Sequence, residues 1–245
     1  KLAEYHLGDE KEYRAVVAFG ARSTTDDLDG ELTAGSAPAP GRQRLEEALA
    51  NFRGTIEQTP PDYSAVHVAG RRAYELARHG KKPELRPRTV TVHRLVLTRW
   101  DDSDPRRPVA TFDVRCSAGT YVRALARDLG EQLGSGGYLA ALTRTASGPF
   151  RLEASHSLDT VREALAAGRA GTLLLPADAG LETYPRVILA EPELRSLAHG
   201  RPVRAPGPAP DGLLRVAGDD GRLAAMAHSR DGLLHPEKVL LSVRA

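Results

Sequence analysis

Several residue types are scarce in this chain of 245 residues, and each scarcity excludes a class of protein. Its one cysteine, Cys116, excludes a disulfide framework and a cysteine-based metal site, and we expect a reducing, cytoplasmic environment. No apolar run approaches the ~18 residues of a membrane span, so no membrane association is expected. The eight histidines are scattered without ligand spacing, which argues against a zinc site.

Familiar catalytic signatures are also missing. The sequence contains no glycine-rich phosphate loop, no H-E-x-x-H and no G-x-S-x-G, so we expect no nucleotide loop, zinc protease site or serine nucleophile elbow. The acidic loop at residues 25–30 superficially resembles a calcium site, but it lacks the downstream bidentate glutamate. An Asx-type turn that caps the preceding strand explains this loop better.

Lysine is rare, and arginine supplies nearly all of the positive charge. Lysine stands only at positions 1, 11, 81, 82 and 238, and the formal net charge of +2 argues against a histone-like nucleic-acid binder. Arginine offers phosphate a planar fork and stacks on bases. A coding bias toward arginine explains this composition more simply, so the places where arginines cluster are more informative than their number.

Hydrophobic periodicity predicts an α+β fold with a mixed or antiparallel sheet. Residues 11–20 alternate between a buried and a polar face, as a strand does, and a polar loop follows at residues 21–30. Residues 88–100 and 108–116 are expected to pair as antiparallel strands. No βαβ rhythm is present, so helices should lie against one face of the sheet. The other predicted elements are a helix around Leu45, Leu49 and Phe52, two short strands within 54–68, helices at 71–79, 120–133 and 157–167, and a strand at 138–147.

Composition changes near residues 176–185, and a smaller module is predicted beyond that point. A strand at 187–189 and a helix at 192–199 precede three short strands, expected at 213–217, 222–228 and 238–243. Short strands separated by glycine turns are typical of a small β-barrel-like domain. We therefore expect a main body over 1–178 and an appended module over 179–245.

Residues 115–123 form the most informative segment. A β-branched strand ends at Gly119, and a helix then begins with Tyr121 and Arg123, which brings a ring and a cation to one strand end. Ligands often bind at such places. On this motif alone, the structural interpretation is favoured: Gly119 turns the chain, Tyr121 is core and Arg123 is a solvated charge.

A basic segment at residues 70–82 interleaves cations with Tyr74. Such a patch can follow a phosphate backbone while the aromatic ring stacks on a base, although a solvated charged helix fits the pattern equally well. Gly70 and Gly80 at its ends suggest a segment that moves on binding.

Taken in order, four blocks of this sequence resemble bacterial TruB-type tRNA pseudouridine synthases. The first two are K-E-Y-R-A with S-T-T-D-D-L-D-G, at residues 11–30, and P-P-D-Y-S-A with G-R-R-A-Y-E-L-A-R, at residues 60–78. The others are C-S-A-G-T-Y-V-R with D-L-G, at residues 116–130, and L-T-R, at residues 142–144. The tail resembles a PUA RNA-binding module, beginning at residues 200–203.

The resemblance implies a synthase body that isomerises the T-loop uridine of tRNA to pseudouridine, without metal or cofactor. It gives catalytic roles to Tyr13 and Arg123: the ring lies against the flipped base, and the cation orients a reacting carboxylate. Tyr121 and Leu142 would complete the base pocket with Tyr13. The same resemblance assigns RNA contacts to four cations, namely Arg71, Arg72, Lys81 and Arg144. The implied partner is the tRNA T stem-loop, bound by a monomer.

One departure from the family pattern concerns the nucleophile. The family's catalytic aspartate lies in a G-x-L-D-x-x-A-T-G segment that this sequence lacks, and the resemblance places it upstream of Lys1. Asp26, Asp27 and Asp29 match the loop block and are not expected to replace it. This chain alone is therefore predicted to bind tRNA weakly and to modify nothing.

Two other functions stay open at this stage. A non-catalytic RNA-binding or tRNA-folding protein could be built from a degenerate synthase body and a PUA-like tail. Tyr13, Tyr121 and Arg123 argue against it, because a pure binder needs no cation in its pocket. An α+β interaction domain of unknown role is the third alternative.

Overall fold

The computed structural model describes residues 1–68 and 70–241 and divides the chain into two compact units. We call Gly8–Glu153 the body, and Lys1–Leu7 with Ala154–Ala245 the terminal unit. Each unit has its own hydrophobic core. In the described part of the chain, none of the helices has the length and apolar character that crossing a membrane requires.

The body consists of a six-stranded antiparallel sheet with helices on one face. Two further pairs of short strands, β2 with β3 and β5 with β6, lie outside this sheet. In chain order the strands of the body are β1 (Lys11–Phe19), β2 (Ala21–Ser23), β3 (Leu32–Ala34), β4 (Gly54–Gln58), β5 (His67–Val68), β6 (Arg71–Arg72), β7 (Arg88–Asp101), β8 (Val109–Cys116), β9 (Gly137–Ser147) and β10 (Phe150–Arg151). Its helices are α1 (Arg42–Ala48), α2 (Ala73–Arg78) and α3 (Val122–Gln132), with 3-10 turns at Leu49–Phe52 and Leu152–Ala154. The sheet order is β10-β9-β1-β8-β7-β4.

Strand β1 lies inside the sheet, between β9 and β8, and alternation gives it one face that packs on the helices. Ala15, Val17 and Phe19 are buried against the helices, while Arg14 is exposed on the other face. Side chains two residues apart share one face of a strand, so the sequence pattern fixes which face is apolar. The strand positions predicted for 11–20, 88–100, 108–116 and 138–147 are confirmed to within two residues.

Helix α3 packs its apolar stripe on this sheet. Val122, Leu125, Ala126 and Leu129 are buried at helical spacing and join the core of the body. At the far end of the helix, Gly130 lies directly against the backbone of the β9 start, since a Cβ added there would lie 2.1 Å from the Gly137 nitrogen. This glycine therefore lets helix and strand approach more closely than any side chain would allow.

Two local predictions in the body are wrong in detail. The helix predicted over residues 71–79 begins at Ala73, and Arg71 and Arg72 lie instead in β6, which pairs with β5 around Gly70 at φ +82°. A positive φ favours glycine and makes a tight turn possible, so the two arginines precede the helix. The polar loop predicted at residues 21–30 contains β2, which pairs with β3.

The terminal unit is built around a second, five-stranded sheet. Its elements are a 3-10 helix (Ala3–His6), α4 (Leu158–Ala166), a 3-10 turn (Ala170–Leu173), β11 (Arg186–Ile188), α5 (Glu191–Ala198), β12 (Val203–Arg204), β13 (Gly212–Ala217), β14 (Leu223–Arg230) and β15 (Leu233–Val239). The strand order is β11-β13-β14-β15-β12, and only the β11–β13 pair is parallel among the described strands. The predicted α+β class with a small C-terminal β module of PUA-like form is confirmed.

The last strand begins earlier than its prediction at 238–243. Asp231 and Gly232 both have positive φ, and they join β14 directly to β15 in a two-residue hairpin turn. Such turns require φ > 0 at both central residues, and the Asp-Gly dipeptide is the sequence signal that the prediction overlooked. Positions 242 and 243 of the predicted strand lie outside the described residues.

The N-terminal residues belong to the terminal unit. The Tyr5 hydroxyl donates to Glu237 Oε1 at 3.0 Å, its ring meets Tyr184 edge-on, and Glu4 pairs with Lys238 at 2.9 Å. Contacts thus group Lys1–Leu7 and the segment from Ala154 with the tail. The boundary expected at 178/179 from the change in composition stays a prediction.

Replacement of Gly130 by alanine tests the close approach between α3 and β9. The new methyl group would overlap backbone atoms that cannot rotate away, so the free energy of unfolding should fall by about 1–3 kcal/mol. Urea unfolding followed by circular dichroism measures this change. The control is Gly8→Ala, because nothing lies within 4 Å of a Cβ at Gly8. Equal stability of both variants would contradict the packing described here.

Candidate active site

The turn between β8 and α3 is fixed by bonds to the neighbouring strand. The Ser117 amide donates to the Thr91 carbonyl oxygen at 2.8 Å, and the Thr91 amide donates to Ser117 Oγ at 3.0 Å. The Thr120 hydroxyl donates back to the Ser117 carbonyl at 2.9 Å, and Gly119 adopts φ +83°. The turn that follows β8 is therefore fixed to β7, and Tyr121 and Arg123 follow it from a defined position.

Gln58 holds the backbone of Tyr121 at the start of α3. The Tyr121 amide donates to Gln58 Oε1 at 2.8 Å, and Gln58 Nε2 donates to the Tyr121 carbonyl at 3.1 Å. The Gln58 side chain is fully buried, where an amide must have partners for its oxygen and its nitrogen. Sequence reasoning gave Gln58 no role, and within the mostly polar strand Gly54–Gln58 no local pattern marks this side chain as buried.

Arg123 extends from the first turn of α3 to two separate loops. Its Nη1 donates to Asp27 Oδ2 at 2.8 Å and to the Thr25 carbonyl at 3.2 Å, while Nη2 donates to the Tyr63 carbonyl at 2.8 Å. About a quarter of the side chain is exposed, at 24%. This guanidinium is therefore held in one orientation by partly buried, charge-assisted hydrogen bonds.

Asp27 is the carboxylate that sequence reasoning missed. The residue was set aside as part of a turn, and the only carboxylate expected for Arg123 was one upstream of Lys1. In the structure Asp27 accepts from Arg123 through Oδ2 and from the Thr25 hydroxyl and the Asp29 amide through Oδ1. The predicted Asx turn is present, and its carboxylate also forms the ion pair.

Arg127, one helical turn after Arg123, makes a second connection of the same kind. Its Nη1 donates to Asp26 Oδ2 at 2.9 Å, Nε to Asp128 Oδ1 at 2.8 Å, and Nη2 to the Thr59 carbonyl at 2.8 Å. Residues four apart lie on the same side of a helix. Both arginines thus join the same two loops, the acidic loop 23–30 and the segment 58–66, to α3.

Asp26 has a strained backbone and an unusual carboxyl group. Its φ is +62°, and its carbonyl accepts from the Leu139 amide at 3.0 Å, which fastens the loop to β9. Burial raises the pKa of the Asp26 carboxyl to about 6, although the neighbouring Arg127 charge acts in the opposite direction. This carboxyl group therefore changes its charge near neutral pH.

Tyr13 lies on the sheet face that α3 covers. It opposes Val114 on β8 and Arg144 on β9, and its half-buried ring packs on the core of the body. Burial raises the pKa of the Tyr13 phenol, with a further contribution from Cys116 and an opposite one from Arg144. Cys116 also neighbours Thr120, so Tyr13 lies near the strand end at which α3 begins.

Leu142 and Arg144 follow Tyr13 on the neighbouring strand. Leu142 opposes Ala15 and Arg144 opposes Tyr13, so the three predicted side chains share one face of the sheet. Leu142 is 44% exposed, and several other large apolar side chains of the described residues are exposed as well.

The basic segment at residues 70–82 gives its cations different surroundings. Arg72 donates to the Ala65 carbonyl at 2.6 Å and so closes its own hairpin. Arg71 and Lys81 are exposed, and Arg78 stacks on the Tyr74 ring at 5.4 Å. Among the residues that the structure describes, no group of three or more His, Cys, Asp and Glu could hold a metal ion.

Three family models match consecutive parts of the chain. The description "TruB family pseudouridylate synthase (N terminal domain)" matches residues 1–122, and "tRNA pseudouridylate synthase B C-terminal domain" matches residues 123–182. "Pseudouridine synthase II TruB, C-terminal" matches residues 185–240. Together these models cover almost the whole sequence.

Curated relatives and solved structures agree with these matches. A tRNA pseudouridine synthase B of Pseudomonas aeruginosa is 41% identical and spans 99% of this chain and 79% of its own length. The enzyme of the same name from Chromobacterium violaceum is 43% identical over 83% of this chain and 65% of its own length. An H/ACA RNP bound to a substrate RNA containing 2′-deoxyuridine matches with a TM-score of 0.66 at 20% identity, over 98% of this chain and 69% of that chain, which shows a shared fold.

Replacement of Asp26 by asparagine tests the raised pKa of this carboxyl group. Between the ordinary pKa of 3.8 and the folded value of about 6, the folded protein binds more protons than the unfolded one. The parent therefore loses stability as pH rises through this window, whereas asparagine cannot titrate. The unfolding free energy of Asp26→Asn minus that of the parent should increase from pH 4 to pH 7 in urea titrations.

The matched control is Asp29→Asn, which lies in the same loop but is exposed. A difference between Asp26→Asn and the parent that stays constant over this pH range would mean that the Arg127 charge balances burial at Asp26, and a decrease would mean that it outweighs burial.

Proposed function

The chain belongs to the TruB family of pseudouridylate synthases, and we propose that it is a tRNA pseudouridine synthase, which isomerises a uridine in tRNA to pseudouridine. In this reaction the bond from N1 to the ribose breaks, the base rotates, and C5 bonds to the same ribose carbon. C5 loses a proton and N1 gains one, so nothing is added or removed overall. The observation that carries the proposal is the partly engaged guanidinium of Arg123.

Arg123 retains hydrogen-bonding capacity beyond its two loops. A guanidinium has five N–H donors, and the contacts to Asp27, Thr25 and Tyr63 use three of them. Within the described residues, the Nε–H and one Nη2–H have no acceptor. We propose that these donors receive the reacting aspartate carboxylate, keep it ionised and orient it toward the ribose or the base.

The reacting carboxylate is proposed to be a further aspartate rather than Asp27. Both Asp27 oxygens already accept hydrogen bonds, from Arg123 on one side and from Thr25 and Asp29 on the other. A carboxylate engaged in this way is a weak nucleophile and a good anchor. Its role is to fix Arg123.

The base pocket is proposed to include Tyr121, Tyr13 and Leu142. Tyr121 starts from the rigid turn before α3, and Leu142 and Tyr13 extend from neighbouring strands on the same sheet face. A flipped base needs aromatic and apolar surfaces to replace its lost stacking. Because burial raises the pKa of Tyr13, its phenol stays protonated at neutral pH and first serves as a packing surface. To accept the C5 proton, Tyr13 would first have to give up its own phenolic proton, and the Arg144 charge would favour that phenolate.

The RNA backbone is proposed to contact the exposed cations of the basic segment and of β9. Arg71, Lys81 and Arg144 are exposed and can approach phosphates, whereas Arg72 mainly supports its hairpin through the Ala65 carbonyl. Phosphate contacts would offset the free energy that is needed to extract the target base from its stack.

Further details of the proposal follow from the sequence. We propose that the target lies in the T stem-loop of tRNA, that the enzyme works as a monomer, and that it needs neither metal nor cofactor. A buried free thiol at Cys116 is compatible with a reducing cytoplasm. A non-catalytic RNA binder would have no need for the network that orients Arg123, so the alternative function is not favoured.

Replacement of Arg123 by alanine or lysine in the full-length enzyme tests its proposed role. Loss of the guanidinium removes the partner of the reacting carboxylate, so the single-turnover rate of pseudouridine formation should fall by at least about 100-fold. The Kd for tRNA should change little, because Arg123 faces the protein. Tritium release from C5-labelled uridine in tRNA measures the rate, and filter binding measures the Kd.

The control for these variants is Arg42→Ala, which removes an exposed arginine that pairs with Glu46 on α1. A near-parental single-turnover rate for Arg123→Ala would exclude the proposed role. Absence of pseudouridine formation by the parent enzyme on tRNA would exclude the proposed function itself.

Replacement of Arg71 or Lys81 by glutamine tests the proposed backbone contacts. Each lost phosphate contact should lower the slope of log Kd against log salt concentration by about 1 and weaken binding of all tRNAs alike. Arg71→Gln is compared with Arg72→Gln, which should instead loosen the hairpin. An unchanged salt slope in Arg71→Gln and Lys81→Gln would show that neither cation faces the RNA.

A further inference from the structure

Arg88, at the start of β7, is a cation whose surroundings in the described chain leave it without an anion. Its guanidinium carbon lies 4.8 Å from the centre of the Tyr121 ring, and its side chain is only partly exposed. Within residues 1–68 and 70–241 its side chain makes no hydrogen bond and no ion pair, and its Nε is buried. A desolvated charge with unused donors is costly unless an anion or a π-face compensates it.

The carboxylate of Glu57, on the neighbouring strand β4, does not neutralise Arg88. Arg88 pairs with Gln58 across the β4–β7 register, and the next pair is Glu57 with Thr89. Successive residues of a strand point to opposite faces, so Glu57 lies on the other side of the sheet from Arg88. There the Thr89 hydroxyl donates to Glu57 Oε1 at 2.6 Å. The positive charge of Arg88 is thus kept free on the face that carries Tyr121.

Gln58 of β4 and Arg88 of β7 are directly opposed in the sheet, and both contact Tyr121. Gln58 holds the backbone of Tyr121 through two hydrogen bonds, and Arg88 lies against its ring. Directly opposed residues of antiparallel strands point to the same face, which explains why both reach the same tyrosine. Ring and guanidinium therefore lie side by side, an aromatic surface next to a cation with unused N–H donors.

We propose that Arg88 binds a phosphodiester of the RNA next to the nucleotide whose base lies against Tyr121. The base and the phosphates of one nucleotide are joined through a single ribose, so a cation beside the ring can reach a phosphate when the base is in place. A guanidinium binds phosphate through two parallel N–H bonds and can do so while stacked on an aromatic ring. This assignment rests on the proposed function, and it adds a residue that recognises the flipped nucleotide by its backbone.

Phosphate neutralisation provides the most direct test. Stem-loop RNAs with one uncharged methylphosphonate on either side of the target uridine are bound to the parent full-length enzyme and to Arg88→Gln. At one of these linkages, removal of the charge should raise the Kd of the parent about tenfold and that of Arg88→Gln less than twofold. Equal sensitivity of both proteins at both linkages would overturn the proposal.

Salt dependence gives a second, independent readout. Loss of one phosphate contact should lower the slope of log Kd against log salt by about 1 in Arg88→Gln, while Arg88→Lys should recover most of the slope. The control is Arg99→Gln, an exposed arginine at the other end of β7 that is paired with Asp101. Circular dichroism confirms that each variant is folded.

A supporting role for the ring alone predicts a different result. If Arg88 merely props Tyr121, then Arg88→Gln should lower the rate of pseudouridine formation at saturating RNA while the salt slope and the methylphosphonate response match those of the parent. That outcome would overturn the phosphate assignment. Failure of the parent enzyme to form pseudouridine would instead exclude the proposed function and leave the binding test to decide on Arg88.

Discussion

The candidate site depends on two partly buried ion pairs that join one helix to two loops. Arg123 and Arg127 lie one turn apart on α3 and bind Asp27 and Asp26 of the acidic loop. Their remaining donors bind backbone carbonyls of the segment 58–66. Partly buried ion pairs of this kind add little net stability, because desolvation offsets their attraction. Removal of one partner is costly, since it leaves the other charge buried and uncompensated. The pairs therefore select one arrangement of helix and loops, and the cation at the helix start is presented in a single orientation.

Rigidity of the surroundings makes this selection effective. Helix α3 is held by its apolar stripe, by the close contact of Gly130 with the β9 start, and by the bonds of the preceding turn to β7. Gln58 binds both backbone groups of Tyr121, and so connects the sheet edge to the same helix start. An enzyme that stabilises a reacting charge needs its donors oriented before substrate arrives, and these contacts fix them in advance. The site is thus built from backbone anchors as much as from side chains that would touch a base.

The sequence predicted most of the scaffold, and its errors have identifiable causes. Alternation found the long strands because one face of the sheet is buried, and helical spacing found α3. Arg71 and Arg72 were assigned to a helix because charge periodicity hides a hairpin that Gly70 permits. The last strand was placed too late because the Asp231-Gly232 turn was overlooked. Asp27 was seen only as a turn residue, since nothing in a local pattern says that a loop and a helix 96 residues apart will meet.

By itself, the sequence determined the fold class, the family and the residue types at the candidate site. Periodicity is a local property, and the ordered blocks around Tyr13, Tyr121, Arg123 and Leu142 are specific enough to identify relatives. Only the tertiary structure decided which charges meet. It paired Arg123 with Asp27, buried Gln58 behind Tyr121, and placed Arg88 against a ring with no anionic partner among the described residues. Hydrogen bonds and ion pairs act over a few ångströms, so their partners are set by how strands and loops pack in space.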